Sequence, residues 1–326
     1  MIPLLEHPTL RDVHQARERI QPHIRHTPLI RAEAIEKSVG CRLWLKPEML
    51  QVTGSFKLRG ALNKSMSLPR EALAKGVIAS SSGNHAQGLA YTAKLLGVPA
   101  CLVVPTTTPK IKVEKTRSHG AEVEIYDGDT AARWKRVYAI AAEKGFAVVH
   151  AYEDPLVMAG QGTLALEILE DLADVDTVIV PMGGGGLISG VATAIKESKP
   201  SVRVVGAEPA MTPKYFESRR HGRPTTVPMK PTIADGLKLG VPGTNPYPII
   251  EKYVDEIVLV EDAHIAEGMR VLAADAKLVA ESAAAIGLGA LLAGSIKVRP
   301  DEKVCVVLTG GNWDLGELAH IYEGKP

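Results

Sequence analysis

Asp176-Thr177-Val178-Ile179-Val180-Pro181-Met182, then Gly183-Gly184-Gly185-Gly186, then residues 187–198, then Val202-Arg203-Val204-Val205-Gly206-Ala207-Glu208, is the stretch that decides the fold. A short apolar run rich in β-branched residues, a glycine turn, a helix-length segment and a second apolar run read as strand, helix, strand. The alternation recurs upstream. Residues 76–80, 98–105, 121–126 and 147–150 read as strands, with helices over 84–96, 110–119 and 130–145 between them. Downstream, 256–260 and 303–308 read as strands, and 262–278 and 283–293 as helices. Strands alternating with helices imply an α/β protein whose mostly parallel, twisted sheets are flanked by helices.

The remaining segments fit around these. Thr9 with Asp12 three residues later resembles a capping box that opens an amphipathic helix. Residues 41–46 form a short strand, and Gly54 supplies a turn before a helix over 55–68, which puts Lys57 in its first turn. Gly160-Gln161-Gly162-Thr163 leads into a helix ending near Asp174. The Pro- and Gly-rich stretch 212–244 reads as a long surface excursion.

The chain of 326 residues suffices for two domains of ordinary size. A net charge of +1 offers nothing to nucleic acid or to an anionic membrane. Cys41, Cys101 and Cys305 are far apart and odd in number, so neither a disulfide framework nor a zinc site is expected. No run approaches the roughly 18–20 apolar residues of a spanning helix, and Met1 to Pro8 does not read as a signal peptide. A cytoplasmic protein with no membrane partner is the expectation.

Four segments carry chemistry. A buried strand, four glycines and a helix start bring free amides and the positive helix end together, which is how phosphate is bound. Each glycine costs roughly 0.5–1 kcal/mol of backbone freedom against alanine. A packing role for the turn is the plainer alternative. A dinucleotide is disfavoured because G-x-G-x-x-G fails: from Gly183 the last position is Ile188, and from Gly184 it is Ser189. Lys57 taken alone reads as a surface residue. Between Phe56 and Leu58, in a chain with a phosphate loop, it becomes a candidate imine-forming amine, provided partial burial keeps it neutral. Ser80-Ser81-Ser82-Gly83-Asn84-His85 holds more hydroxyl and amide groups than capping one helix requires, and suits a carboxylate or a phenolic oxygen. For His85 a packing role stands beside a catalytic one. Thr309 lies at the carboxyl end of the last strand, where parallel sheets bind ligands.

At these residues the sequence resembles the fold-type II (tryptophan synthase β-like) pyridoxal phosphate (PLP) enzymes, on the serine/threonine dehydratase and serine racemase branch. The likeness runs from about His26 to Asp314. Lys57 matches the cofactor-bearing lysine of T-G-S-F-K-x-R-G-A, and Phe56 the residue beneath the ring. Ser81, Ser82, Gly83, Asn84 and His85 match the S-S-G-N-H loop. The resemblance implies that Asn84 holds the ring hydroxyl oxygen, that Ser81, Gly83, Asn84 and His85 bind the substrate carboxylate, and that Ser82 is the acid/base opposite Lys57. Gly183, Gly184, Gly185, Gly186 and Leu187 match the phosphate loop, and Thr309 the hydroxyl on the pyridine nitrogen. Ala234-Asp235-Gly236 and Glu281-Ser282 match patterns near the cofactor. Glu208 matches an acid that binds a cation in many relatives. Lys214 stands where a second acid is expected, so no metal is expected and a lysine ammonium can take its place. Trp313 replaces a small aliphatic residue.

The resemblance implies residues 1–69 and 151–326 as a large PLP-binding domain, 70–150 as a small one, and a homodimer. It implies PLP-dependent dehydration of a small β-hydroxy amino acid, of the L-serine or L-threonine type, to a 2-oxo acid and ammonia. The alternatives are a serine or aspartate racemase, a hydroxyaspartate dehydratase, or a non-catalytic cofactor-binding protein. β-Replacement is disfavoured by His85, where such enzymes carry threonine.

Overall fold

A computed structural model describes residues 5–323 apart from 109 and 314, so the last residue of the likeness above, Asp314, lies outside the described residues. Among the described residues, ten strands form two sheets. The larger holds β1 (Ile30–Arg31), β2 (Arg42–Pro47), β7 (Thr177–Pro181), β8 (Arg203–Pro209), β9 (Glu256–Val260) and β10 (Lys303–Leu308), in the order β1-β2-β10-β7-β8-β9. The smaller holds β3 (Val77–Ser80), β4 (Ala100–Pro105), β5 (Glu122–Tyr126) and β6 (Ala147–Val148), in the order β5-β4-β3-β6. Every pairing is parallel except β1 with β2.

β7 is buried along its whole length, which explains its unbroken apolar run: both faces of a parallel sheet are covered by helices. Helix Ser282–Leu292 fills one face of the large sheet; helices Pro155–Asp171 and Gly186–Ser198 fill the other. β5, at the sheet edge, exposes Glu122 and Ile125 and leaves Val123, Glu124 and Tyr126 half-buried; the glutamates place charge where further pairing would occur. The Thr9–Asp12 capping box forms as read, ahead of helix Leu10–Ile20.

Three local expectations are corrected. The helix expected to follow Gly160 begins earlier, at Pro155, because Asp154 caps it and accepts from Leu156 N at 2.8 Å. Gly160 and Gly162 sit inside it, where they let backbones touch. A Cβ at Gly160 would lie 2.6 Å from Arg59 O, and one at Gly190 would lie 2.0 Å from Met158 O. The three helices Lys57–Met66, Pro155–Asp171 and Gly186–Ser198 thus cross through glycines. Second, 212–244 is not only a surface excursion: helix Lys214–His221 lies within it and buries Lys214, Tyr215 and Ser218. Third, the helix from Asp262 becomes a π-turn over Leu272–Ala276 and ends at Lys277, whose φ of 59° is left-handed.

Candidate active site

Lys57 is the first residue of its helix. The loop ahead of it is zipped to the end of β10. Phe56 N donates to Thr309 O at 3.1 Å, Gly311 N to Gly54 O at 3.0 Å, and Asn312 Nδ2 to Thr53 O at 2.8 Å. Gly54 takes φ +72° in this turn, and a Cβ there would meet Asn312 at 2.8 Å. Lys57 and Thr309 therefore arrive together although more than two hundred residues separate them.

The glycine loop runs from the end of β7 into helix Gly186–Ser198, with Gly185 at φ +90°. Among the described residues, the amides of Gly183, Gly184 and Gly185 have no protein acceptor. Side chains are excluded from the turn by close packing: a Cβ on Gly184 would lie 2.3 Å from the Tyr152 ring.

One cavity of about 320 Å³ is lined by Lys57, Phe56, Ser80 through His85, Gly183 through Leu187 and Thr309. It opens where β3, β7 and β10 end, the carboxyl edge at which parallel sheets bind ligands. Every site residue read from the sequence lines it. The lysine tip and the glycine turn share this one space.

The electrostatics follow from burial. Lys57 Nζ donates to Ala151 O at 3.2 Å and lies 4.9 Å from the centre of the Phe56 ring. Desolvation lowers its pKa to about 8, opposed by the charge of Glu281. His85 bonds Val149 O through Nε2 at 2.8 Å, and burial, with Lys57 adding, pulls its pKa to about 3. The ring is neutral, so His85 does not present a cation to the cavity. No serine side chain caps helix Asn84–Leu96; its N-cap is Gly83, and Ser81 Oγ accepts from Gly83 N at 3.3 Å. The hydroxyls in excess of capping are thus left to the cavity.

Several further residues surround the site, and of these Glu281 alone was noted in the sequence. Asn84 Nδ2 donates to both Glu281 oxygens at 2.9 and 3.0 Å, while Asn84 Oδ1 accepts from Asn312 Nδ2 at 2.9 Å. Burial pushes the Glu281 carboxyl up to about 7, against the Asn84 hydrogen bond. Trp134 stacks on His150 at 4.1 Å, His150 meets Tyr152 edge-on at 4.7 Å, and Tyr152 walls the glycine loop. Arg133 lines the same cavity. Arg133 and Trp134 come from helix Thr130–Lys144, His150 and Tyr152 from the segment after β6, and Asn312 from the segment after β10.

The residues present fit a phosphorylated pyridine aldehyde. Thr309 Oγ1 is buried without a hydrogen-bond partner and lines the cavity, the loop amides are free, and Lys57 supplies an amine that sheds its proton readily. A buried lysine of lowered pKa, a glycine turn with free amides and an unpaired hydroxyl meet at one strand edge of this α/β protein. Residues 20–310 match the family described as pyridoxal-phosphate dependent enzyme, and the chain belongs to that family. It is 45% identical over 315 residues to an L-threonine ammonia-lyase of Geobacter sulfurreducens, covering 95% of this chain and 77% of that one. The structure is similar to that of maize serine racemase, with a TM-score of 0.93, 36% identity and 98% of each chain covered. It is also similar to the T.th. threonine deaminase, with a TM-score of 0.90, 38% identity, and 94% of this chain and 99% of that one covered. Both sheets and their flanking helices are those of a fold-type II PLP enzyme.

Proposed function

We infer that the protein is a PLP-dependent ammonia-lyase that converts a small β-hydroxy amino acid, L-threonine or L-serine, to a 2-oxo acid and ammonia. The observation that carries this reading is the single cavity shared by Lys57, the serine loop, the glycine loop and Thr309. The named activity of the 45% identical relative supports the substrate class.

In this reading Gly183 to Gly186 and Leu187 would hold the phosphate, Phe56 the ring face, Asn84 the ring oxygen and Thr309 the ring nitrogen. Bound there, the cofactor supplies an electron sink for the bond electrons released at the substrate Cα. Lys57, its pKa lowered to about 8 by burial, takes the α-proton in its deprotonated form. Ser81, Gly83, Asn84 and His85 orient the carboxylate. Thr309 would offer the ring nitrogen a hydroxyl and no charge. Ser82 stands ready as the acid/base on the second face, so racemisation is the second reading.

The smaller domain is taken as residues 70–150, around the second sheet, and the larger as 1–69 with 151–326. We place the protein in the cytoplasm as a homodimer. Among the described residues no helix is long and apolar enough to cross a membrane, and the three cysteines are buried and free, which supports that placement.

The test is a panel of L-serine, L-threonine and 3-hydroxyaspartates scored for 2-oxo acid, ammonia and enantiomer exchange. Oxo acid from serine or threonine supports the lyase. Enantiomer exchange without oxo acid replaces it with the racemase. Protein that takes up no PLP and stays colourless overturns both.

A further inference from the structure

Beneath the glycine loop lies a buried ion pair that the catalytic reading does not use. Glu208, at the end of β8, and Lys214, the first residue of helix Lys214–His221, are both fully buried, with Lys214 Nζ 3.0 Å from Glu208 Oε1. The position is poor for a cation: the amino end of a helix repels positive charge, and burying an ammonium is costly. What offsets this is a closed set of contacts. Glu208 accepts from Tyr215 N at 3.0 and 3.1 Å and from Phe216 N at 2.9 Å, so one carboxylate satisfies the helix start and the lysine together. Lys214 Nζ also lies 5.4 Å from the centre of the Tyr215 ring.

The pair thereby fixes Tyr215, and Tyr215 reaches the loop. Its hydroxyl donates to Gly184 O at 2.9 Å and accepts from Gly243 N at 2.8 Å. Across a planar trans peptide the carbonyl and the next amide point opposite ways. Pinning Gly184 O to Tyr215 therefore turns Gly185 N–H the other way, to the side where Gly185 lines the cavity. A Cβ on Gly185 would sit 2.4 Å from the Tyr215 hydroxyl, so the glycine is required for this approach.

We propose that Lys214 is a built-in cation whose pairing with Glu208 sets the phosphate-binding loop through Tyr215, so that cofactor retention does not depend on dissolved metal ions. Lys214, Glu208 and Tyr215 are positioning residues, acting through the loop amides. The inference rests on the glycine loop holding the cofactor phosphate.

The test is equilibrium binding of PLP, and of pyridoxal as the phosphate-free probe, to cofactor-stripped protein. Tyr215→Phe keeps the ion pair and the packing and loses only the hydroxyl; it is expected to weaken PLP about tenfold, the factor set by one lost hydrogen bond, and to leave pyridoxal unchanged. Lys214→Ala weakens PLP at least as much and recovers on addition of ethylammonium. Wild-type affinity is the same after EDTA and in added potassium or magnesium. Gly184→Ala separates the two layers: if it binds PLP as wild type does, the loop reading fails. If it weakens binding while Tyr215→Phe and Lys214→Ala do not, the inference alone is overturned. A wild-type protein that loses PLP on chelation, or a Tyr215→Phe whose PLP and pyridoxal affinities fall alike, overturns it too.

Discussion

Arg59 sits two residues after the reactive lysine and is fully buried. Its guanidinium forks onto two carboxylates, bonding Glu48 at 2.8 and 2.8 Å and Glu167 at 2.6 and 2.9 Å. Lys46 Nζ lies 2.7 Å from Glu167, and Thr27 Oγ1 donates to Glu48 at 2.6 Å. Two bases thus balance two acids inside the protein. Arg59→Ala leaves one buried carboxylate uncompensated, a loss of about 3–5 kcal/mol. Against a total stability of about 5–15 kcal/mol that is a large fraction, equivalent to about 4–7 °C in Tm for a chain of this length. Arg59→Lys keeps the charge but cannot fork onto both acids, and is expected to lose about half as much. Urea unfolding of the two variants with Glu48→Ala closes a mutant cycle in which Arg59 and Glu48 are strongly non-additive. The pH dependence carries a sign. Burial alone would raise the Glu167 carboxyl; Arg59 and then Lys46 hold it below the usual carboxylate range. Its contribution is therefore full above the unfolded carboxylate pKa of about 4.3 and lost as pH falls through the lower folded value. The deficit of Arg59→Ala shrinks over the same window. A deficit within about 1 kcal/mol at neutral pH, or one that grows on acidification, refutes the argument.

Three other outcomes are expected. Lys57→Ala abolishes borohydride trapping of PLP, and the rate of PLP capture by wild-type protein rises with pH through about 8, because the neutral amine is the nucleophile. Glu281→Gln moves that midpoint lower, since the Glu281 charge raises Lys57; a midpoint near the ordinary 10.5 would contradict the burial argument. Gly190→Ala places a Cβ 2.0 Å from Met158 O, a backbone atom that cannot step aside, and is expected to cost about 3 kcal/mol in chemical denaturation. Cys41, Cys101 and Cys305 are buried, with thiol pKa values pushed up to about 12, 11 and 12 by desolvation, so thiol reagents should label the unfolded chain and spare the native one. Rapid labelling of folded protein would show that a strand carrying one of them opens.

Much of the molecule was legible in the chain. Strands 256–260 and 303–308 fall where the apolar runs place them, and helix Asn84–Leu96 begins and ends as read, because local patterning dominates where a segment is buried on both sides or capped by Gly97. The serine and glycine loops were visible because their chemistry is compressed into a few adjacent residues. The start of helix Pro155–Asp171 was misplaced because glycine ordinarily breaks helices, and only its neighbours show that Gly160 and Gly162 are contact points.

The order of apolar runs, turns and glycines determined an α/β chain, an amine at a helix start and an anion-binding turn. That information is local, written within a few residues of each feature. Only the tertiary structure decided that Lys57, Asn84, Gly184 and Thr309 face one cavity, that Glu281 lies against Asn84, and that Lys214 is buried on Glu208 and not at the surface. Those outcomes depend on which backbones approach closely enough to touch and on which charges lose their water. Both are set by how whole segments pack, whether the partners are close in the chain, as Glu208 and Lys214 are, or far apart, as Asn84 and Glu281 are.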